Sequence, residues 1–448
     1  VTSDPIDGVG LGERLAAGDL DALDVAERAL RLARRPRAEG TFITLTGDRA
    51  ARQAVAAGAR HAAGRTNSPL DGVPVAVKDL FDLAGTVTTA GSRTRASLPP
   101  AEHDASVVRR LADAGMVCVG KTNLSEFAFG GLGVNPHFGT PVNPTAGDEP
   151  LVPGGSSSGS ATAVALGIVP VAIGTDTSGS VRVPAAFCGV IGYKASAGRY
   201  GDDGMLPLSP TLDSIGVLAT SMRDVITTDA VLTGEPASTG DGGPPSLVVP
   251  RGELLDDCAP QVRRRFDEHM AALASQGVRI EERHLPALAK AQEVMDQNAT
   301  IVEAEAHARY GHLLRSGDGA RVDPGVMRRL ARFAAQPRDP APVYQAMERL
   351  RADIGRELGG AILACPAVRH TAPPLAPLLA DERLYDLANR RSLRTTMLLS
   401  YLGMPGVTLP IGTPRTGAVG LLLSAPSSHD SRLLASAARI ENRLTQRQ

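Results

Sequence analysis

Apolar positions recur at helical spacing over residues 10–60, as in Leu20-Asp-Ala-Leu-Asp-Val-Ala-Glu-Arg-Ala-Leu, which predicts amphipathic helices at the start of the chain. From Gly72 the pattern shortens into Val-rich runs, Val73-Pro-Val-Ala-Val-Lys78 and Met116-Val-Cys-Val119, with a helical stretch over 105–114 between them. Short buried strands alternating with helices indicate an α/β architecture. Between Phe127 and Ser160 the chain is dominated by Gly, Pro, Asn and Ser. Loops of that length inside a compact fold are usually functional. Ala161 to Leu166 then reads as a small-residue helix, and Val169-Pro-Val-Ala-Ile173 as a buried strand that enters Gly174-Thr-Asp-Thr-Ser-Gly-Ser180. Residues 235–246 read as a linker or exposed loop. Residues 255–360 are rich in Arg and Ala, with breaks at Pro286 and near Pro337 to Pro342, and read as a helical subregion packed on the α/β body. Strand texture returns in Ala361-Ile-Leu-Ala364, Gly406-Val-Thr-Leu409 and Val419-Gly-Leu-Leu-Leu423, which are expected to rejoin the same sheet.

Composition narrows the function more than the fold. With 43% hydrophobic and 21% charged residues, the chain is expected to be a soluble globular enzyme rather than a disordered or collagen-like protein. Forty-seven basic against 48 acidic side chains leave no electrostatic footprint for nucleic acid or an anionic membrane, so a small, uncharged substrate fits better. The cysteines Cys118, Cys188, Cys258 and Cys365 are far apart, which argues against a zinc knuckle or a disulfide framework. The first residues lack a secretory pattern and no apolar run reaches the roughly 18 residues needed to span a bilayer, so a cytoplasmic location is expected.

Three motifs compete for the chemistry. Gly115-Met-Val-Cys-Val-Gly-Lys-Thr122 matches the phosphate-loop spacing, but its interior is an apolar strand and a helical segment precedes it. Val75-Ala-Val-Lys78 imitates the lysine strand of protein kinases without the catalytic elements that should follow. Gly155-Ser-Ser-Ser-Gly159 fits G-x-S-x-G with Ser157 at its centre, and an α/β-hydrolase esterase on Ser157 would draw its histidine from His370 or His429. Against that reading, the segment Glu149-Pro-Leu-Val-Pro-Gly upstream is broken by two prolines where a nucleophile elbow needs a strand. Among the histidines only His307 and His312 are near each other, five residues apart and off a common helix face, so no metal site is expected.

What remains is a lysine and two Ser/Gly loops. Lys78 closes an apolar strand, where desolvation in a dry cleft would favour the neutral amine and let it act as a base. Gly154-Gly-Ser-Ser-Ser-Gly-Ser160 lies between two core elements. Gly174-Thr-Asp-Thr-Ser-Gly-Ser-Val-Arg182 sets small residues at a strand end, where successive N–H groups can converge on one point as an oxyanion hole requires.

These blocks resemble the amidase signature family. The resemblance rests on Asp71-Gly-Val-Pro-Val-Ala-Val-Lys-Asp79, Gly120-Lys-Thr-Asn-Leu-Ser-Glu-Phe-Ala128, Asn143-Pro144, Pro153 to Ser160, Gly174 to Ala186, Cys188-Gly189 and Leu212-Asp-Ser-Ile-Gly216, dense from Gly72 to about Asp224 and thin beyond. It implies one amidase domain over 1–448, with a mixed central sheet covered on both faces by helices. A signature core would span 60–235, and the helical subregion 250–360 would form part of the substrate pocket. It implies a Ser-cisSer-Lys triad of Lys78, Ser156 and Ser180, the two serines 24 residues apart, in which Ser180 attacks the carbonyl and forms an acyl-enzyme. The N–H groups of Thr177, Ser178, Gly179 and Ser180 would hold the oxyanion, with Asp176, Arg182 and Ser157 in support. Substrate contacts are expected from Phe129, Gly130, Gly131 and Leu132, with further lining from 295–345 and His370 to Pro377. No cofactor or metal is implied, and a monomer or homodimer is expected.

Two departures from the family pattern stand out. Ser178 replaces a common glycine, and Gly192-Tyr-Lys-Ala-Ser196 replaces the usual Gly-Leu-Lys-Pro-Thr. Val183 stands where the glutaminase components of amidotransferases usually have Gln, which favours a stand-alone hydrolase over ammonia delivery to a partner; a glutaminase-type subunit or an allophanate-type hydrolase is the alternative. The expected substrate is a neutral organic amide or a carbamate.

Overall fold

In a computed structural model, residues 7–237, 245–412 and 417–445 are described. Their strands are β1 (Phe42–Leu45), β2 (Pro74–Lys78), β3 (Val117–Thr122), β4 (Val171–Thr175), β5 (Ile191–Lys194), β6 (Ile215–Ala219), β7 (Ser246–Pro250), β8 (Arg279–Arg283), β9 (Ile362–Pro366), β10 (Gly406–Ile411) and β11 (Val419–Ser424). All join one mixed sheet in the order β1-β3-β2-β4-β6-β5-β10-β11-β9-β7-β8. β2 runs parallel to both β3 and β4, whereas β4, β6, β5, β10, β11 and β9 pair antiparallel in succession. The phosphate-loop look-alike is therefore the turn into β3 and β3 itself, with Lys121 buried against Asp79 at 2.5 Å.

Buried side chains alternate across the sheet, as period-two geometry requires. Leu421 and Leu423 of β11 join one hydrophobic cluster and Leu422 the other, and β9 splits Ile362 and Ala364 from Leu363 and Cys365 in the same way. One cluster is closed by the Ala22–Ala33, Ser106–Asp113, Pro260–Ser275 and Asp430–Thr445 helices, the other by the Pro286–Gln297, Ile301–Tyr310, Ala341–Leu358 and Glu382–Tyr401 helices. This is the helix-covered mixed sheet that the resemblance implied.

The helical readings of 10–60 and 255–360 each hid a strand. β1 is four half-buried residues at one sheet edge. β8, Arg-Ile-Glu-Glu-Arg, is the other edge, and its charges blunt strand pairing there while masking the strand from pattern reading. Of the expected linker at 235–246, residues 238–244 lie outside the described residues. The three late strands return to the sheet as expected.

Candidate active site

The adjacent parallel strands β2 and β4 end side by side, with Val77 opposite Ile173. The C-terminal edge of parallel strands is where α/β sheets place their ligands. Lys78 closes β2 and Thr175 closes β4; Lys78 Nζ sits 2.8 Å from Thr175 Oγ1 and 2.7 Å from Ser156 Oγ. Lys78 is fully buried. Desolvation lowers its pKa to about 7, against the opposing pull of the Asp176 and Asp213 carboxylates. A neutral amine is therefore present at ordinary pH beside a serine hydroxyl.

Ser156 follows Gly155 through a cis peptide bond, immediately before the Ser158–Ala165 helix. The two Ser/Gly loops are locked together by the Ser157 N–H, which donates to the Ser180 carbonyl at 3.1 Å. Ser157 itself is committed: its buried hydroxyl donates to the Thr175 carbonyl at 3.2 Å. His429 is exposed, and its Nδ1 faces the Ser427 carbonyl. His370 Nε2 pairs with Ser392 Oγ at 3.2 Å. Neither histidine meets Ser157, so the elbow reading has no geometry to stand on.

The loop after β4 is tied by one carboxylate. Asp176 Oδ1 accepts from Gly179 N–H at 2.7 Å and Arg182 Nη2 at 2.8 Å, while Oδ2 accepts from Arg182 Nε at 2.9 Å and Val181 N–H at 3.1 Å. Burial pushes Asp176 up, but the charge and hydrogen bonds of Arg182 bring it down to about 2. Thr177 Oγ1 donates to Asp213 at 2.5 Å. The four-donor oxyanion expectation thus loses a member, because the Gly179 N–H is spent on Asp176. The N–H groups of Thr177, Ser178 and Ser180 have no protein partner among the described residues and remain available. Gly179 still matters: its φ is 137° and a Cβ there would lie 2.1 Å from Thr396 Oγ1.

A cavity of about 220 Å³ opens above this floor. Thr177, Ser178 and Ser180 line its base, with Ala128, Phe129, Leu208, Met295 and Met397 supplying apolar wall. Phe129 and Gly130 are where the sequence put them. Gly131 and Leu132 are corrections: Gly131 is fixed behind the wall, its N–H on Asn389 and its carbonyl on Gly155 N–H, and Leu132 is core. The His370 to Pro377 segment does not line the cavity; the Glu382–Tyr401 helix does, through Asn389, Arg390, Leu393, Arg394 and Met397.

Sequence reasoning missed Thr175, Asp213 and Arg329. Arg329 is buried in the wall, with Nη2 donating to the Phe129 carbonyl and its guanidinium 5.0 Å from the centre of the Phe129 ring. Its Nε and Nη1 have no hydrogen-bond partner, and among the described residues it makes no ion pair. In the sequence it is one more arginine of an Arg-rich amphipathic helix, where solvent exposure is the usual fate.

With this geometry in view, comparison with known proteins is specific. The amidase family model matches residues 25–434. A 2-amino-5-chloromuconic acid deaminase of Comamonas testosteroni is 34% identical over 84% of this chain and 83% of its own length. A glutamyl-tRNA(Gln) amidotransferase subunit of Symbiobacterium thermophilum is 32% identical over 95% of this chain and 94% of its own. Among solved structures, an amidase superimposes with a TM-score of 0.86 at 32% identity, covering 98% of this chain and 100% of its own. The peptide amidase of Stenotrophomonas maltophilia follows at 0.75 and 26%, covering 98% and 97%.

Proposed function

This chain belongs to the amidase family and is an amidohydrolase acting on C–N bonds; from that premise we propose that it hydrolyses small amides bearing a carboxylate, with Ser180 as nucleophile. Ser180 Oγ attacks the amide carbonyl carbon while its proton passes to Ser156 Oγ and the proton of Ser156 passes to neutral Lys78. The N–H groups of Thr177, Ser178 and Ser180 hold the oxyanion. The relay then runs in reverse, protonating the leaving nitrogen as the C–N bond breaks and leaving an acyl-Ser180 ester. Water attacks that ester by the same route, and the acid product leaves.

The substrate class rests on one observation, the buried Arg329 with two unpartnered nitrogens in the cavity wall. A buried guanidinium with two nitrogens left without a hydrogen bond is costly, and a bound carboxylate would satisfy it with charge-assisted hydrogen bonds. The rest of the lining points the same way: Arg332, Arg338, Arg390 and Arg394 outnumber its two carboxylates, Asp296 and Glu303, with Arg394 also paired to Glu253. The neutral amide or carbamate expected from composition gives way to an anionic one in this reading. The Comamonas relative, named for an acid substrate, agrees with it.

A glutaminase role, as in the amidotransferase relatives, would also need a carboxylate to read the ammonium group of glutamine. Asp296 is held by Arg394 at 2.8 Å, and Glu303 by Arg332 at 3.4 Å and Arg338 at 3.9 Å, so neither is free for that. The test is a panel of amides with and without a carboxylate, run on the wild type and on Arg329→Met. The variant should lose roughly 10²-fold in kcat/KM on anionic members and little on neutral ones. Faster turnover of neutral anilides or carbamates by the wild type would sink the proposal.

A further inference from the structure

Behind the cavity wall lies a group of buried polar atoms that the acylation chemistry leaves unused. Ser125 Oγ, Glu126 Oε1, His137 Nε2 and Arg329 Nε and Nη1 are all buried without a hydrogen-bond partner among the described residues. Native interiors leave few such atoms, and a cluster of them calls for an explanation. Glu126 is at its centre. The residue is fully buried, with Oε2 accepting the N–H of Asp323 and lying 3.5 Å from His137 Nε2. Asp323 in turn caps the Pro324–Ala335 helix, accepting from Gly325 N–H at 2.5 Å and Val326 N–H at 3.2 Å. That helix carries Arg329. On its own side, the Glu126 carbonyl accepts the Phe129 N–H at 3.0 Å, at the start of the Phe129–Gly130 wall. Phe127 and Ala128 between them are held at positive φ, 54° and 59°, so this wall has a fixed and unusual backbone path.

Resting on the reading of Arg329 as the anion anchor, we propose that Glu126 is the positioning residue that sets the selectivity of the site for anionic over neutral substrates. Its carboxyl ties the cap of the Arg329 helix to the Phe129 wall, so the guanidinium and the wall keep one register. Its charge, when present, also opposes a second carboxylate at Arg329. The groups that face it are the Ser92 hydroxyl, His137, Asp323 and Arg329, with the Tyr385 hydroxyl against the guanidinium. Burial raises Glu126 to about 7; the Ser92 hydroxyl, the Asp323 N–H and the Arg329 charge pull it down, and the Asp323 charge pushes it up. Burial and the Arg93 charge lower His137, against the opposing pull of the Asp323 charge. The sign follows. Above pH about 7 Glu126 gains its charge and preference for an anionic substrate falls, roughly 10-fold for one added charge in a buried setting.

The test uses two activated esters of one length, mono-p-nitrophenyl glutarate and p-nitrophenyl 5-oxohexanoate, on the whole chain. Their kcat/KM ratio cancels the titration of Lys78, which acts on both. The wild-type ratio should favour the glutarate below pH 7 and fall roughly 10-fold by pH 8.5. In Glu126→Gln, which keeps an acceptor for the Asp323 N–H, the ratio should stay high and flat with pH. A flat ratio in the wild type, or the same slope in Glu126→Gln, overturns the role of Glu126. Equal rates on both esters at pH 6, unmoved by Arg329→Met, would instead overturn the anion anchor itself.

Discussion

The floor of the active site and its wall are built on opposite plans. On the floor, Lys78 is bonded to Ser156 and Thr175, Asp176 to Arg182 and the backbone of its loop, and Thr177 to Asp213. In the wall, Arg329 keeps two buried nitrogens with no hydrogen-bond partner among the described residues, and behind it Glu126 Oε1 and His137 Nε2 are left the same way, whereas of the floor groups only Arg182 Nη1 is. A floor whose groups already hold one another is preorganised: it need not rearrange when charge develops on the carbonyl oxygen. A wall with unsatisfied groups gains its partners only when the right substrate arrives, and that is how a site discriminates. Chemistry and specificity are thus separated in space, and substitutions on the two sides should fail differently.

The sharpest break in that comparison is at the proposed nucleophile. Ser180→Ala should lower kcat/KM at least roughly 10⁴-fold, on anionic and neutral amides alike, with KM for any residual turnover barely moved. Ser157→Ala should stay far closer to the wild type, since the Ser157 hydroxyl is bonded to the Thr175 carbonyl. A fluorophosphonate label mapped by mass spectrometry should fall on Ser180. Label on Ser157 would reverse the assignment and merge floor and wall into one unresolved site.

Next in size is the base. Lys78→Ala should cost on the order of 10³-fold in acylation at neutral pH, again without regard to substrate charge. In the proposed relay the amine works only when unprotonated. With its pKa lowered to about 7 by burial, kcat/KM should climb through that pH and level off above it. The limb should appear with a neutral substrate, where Arg329 and Glu126 have no charge to read. A flat profile from pH 5.5 to 8 would remove Lys78 from the relay.

The same division explains what could be read from sequence. Lys78, Ser156 and Ser180 stand in short blocks of small and apolar residues, where close packing leaves little choice of residue and the pattern is distinctive. β2, β3 and β4 are buried on both faces and announce themselves as Val-rich runs. β8 is a charged edge strand and reads as helix surface. Arg329 looks like any solvated helix arginine, because what buries it is the Phe129 loop 200 residues away in sequence. The family resemblance puts the Gly179 N–H in the oxyanion hole, because a motif gives position but not direction. Only the fold shows that it points to Asp176.

Stability separates floor from wall with the smallest shift. Asp176→Asn keeps the shape of the side chain but leaves Arg182 charged in the core with only Ser400 Oγ as a second side-chain partner. Breaking one side of a buried pair should cost about 3 kcal/mol in urea unfolding. Asp176 is held at about 2, below its ordinary 3.8, so its contribution is present above pH 3.8 and is lost as the pH falls through about 2. The gap between wild type and variant should therefore narrow across that window. Arg329→Met should do the reverse at neutral pH: removing an unpaired buried charge should leave stability unchanged or raised while substrate preference collapses. Equal destabilisation by both substitutions would mean that Arg329 holds the wall together, and the division between a bonded floor and an open wall would fail.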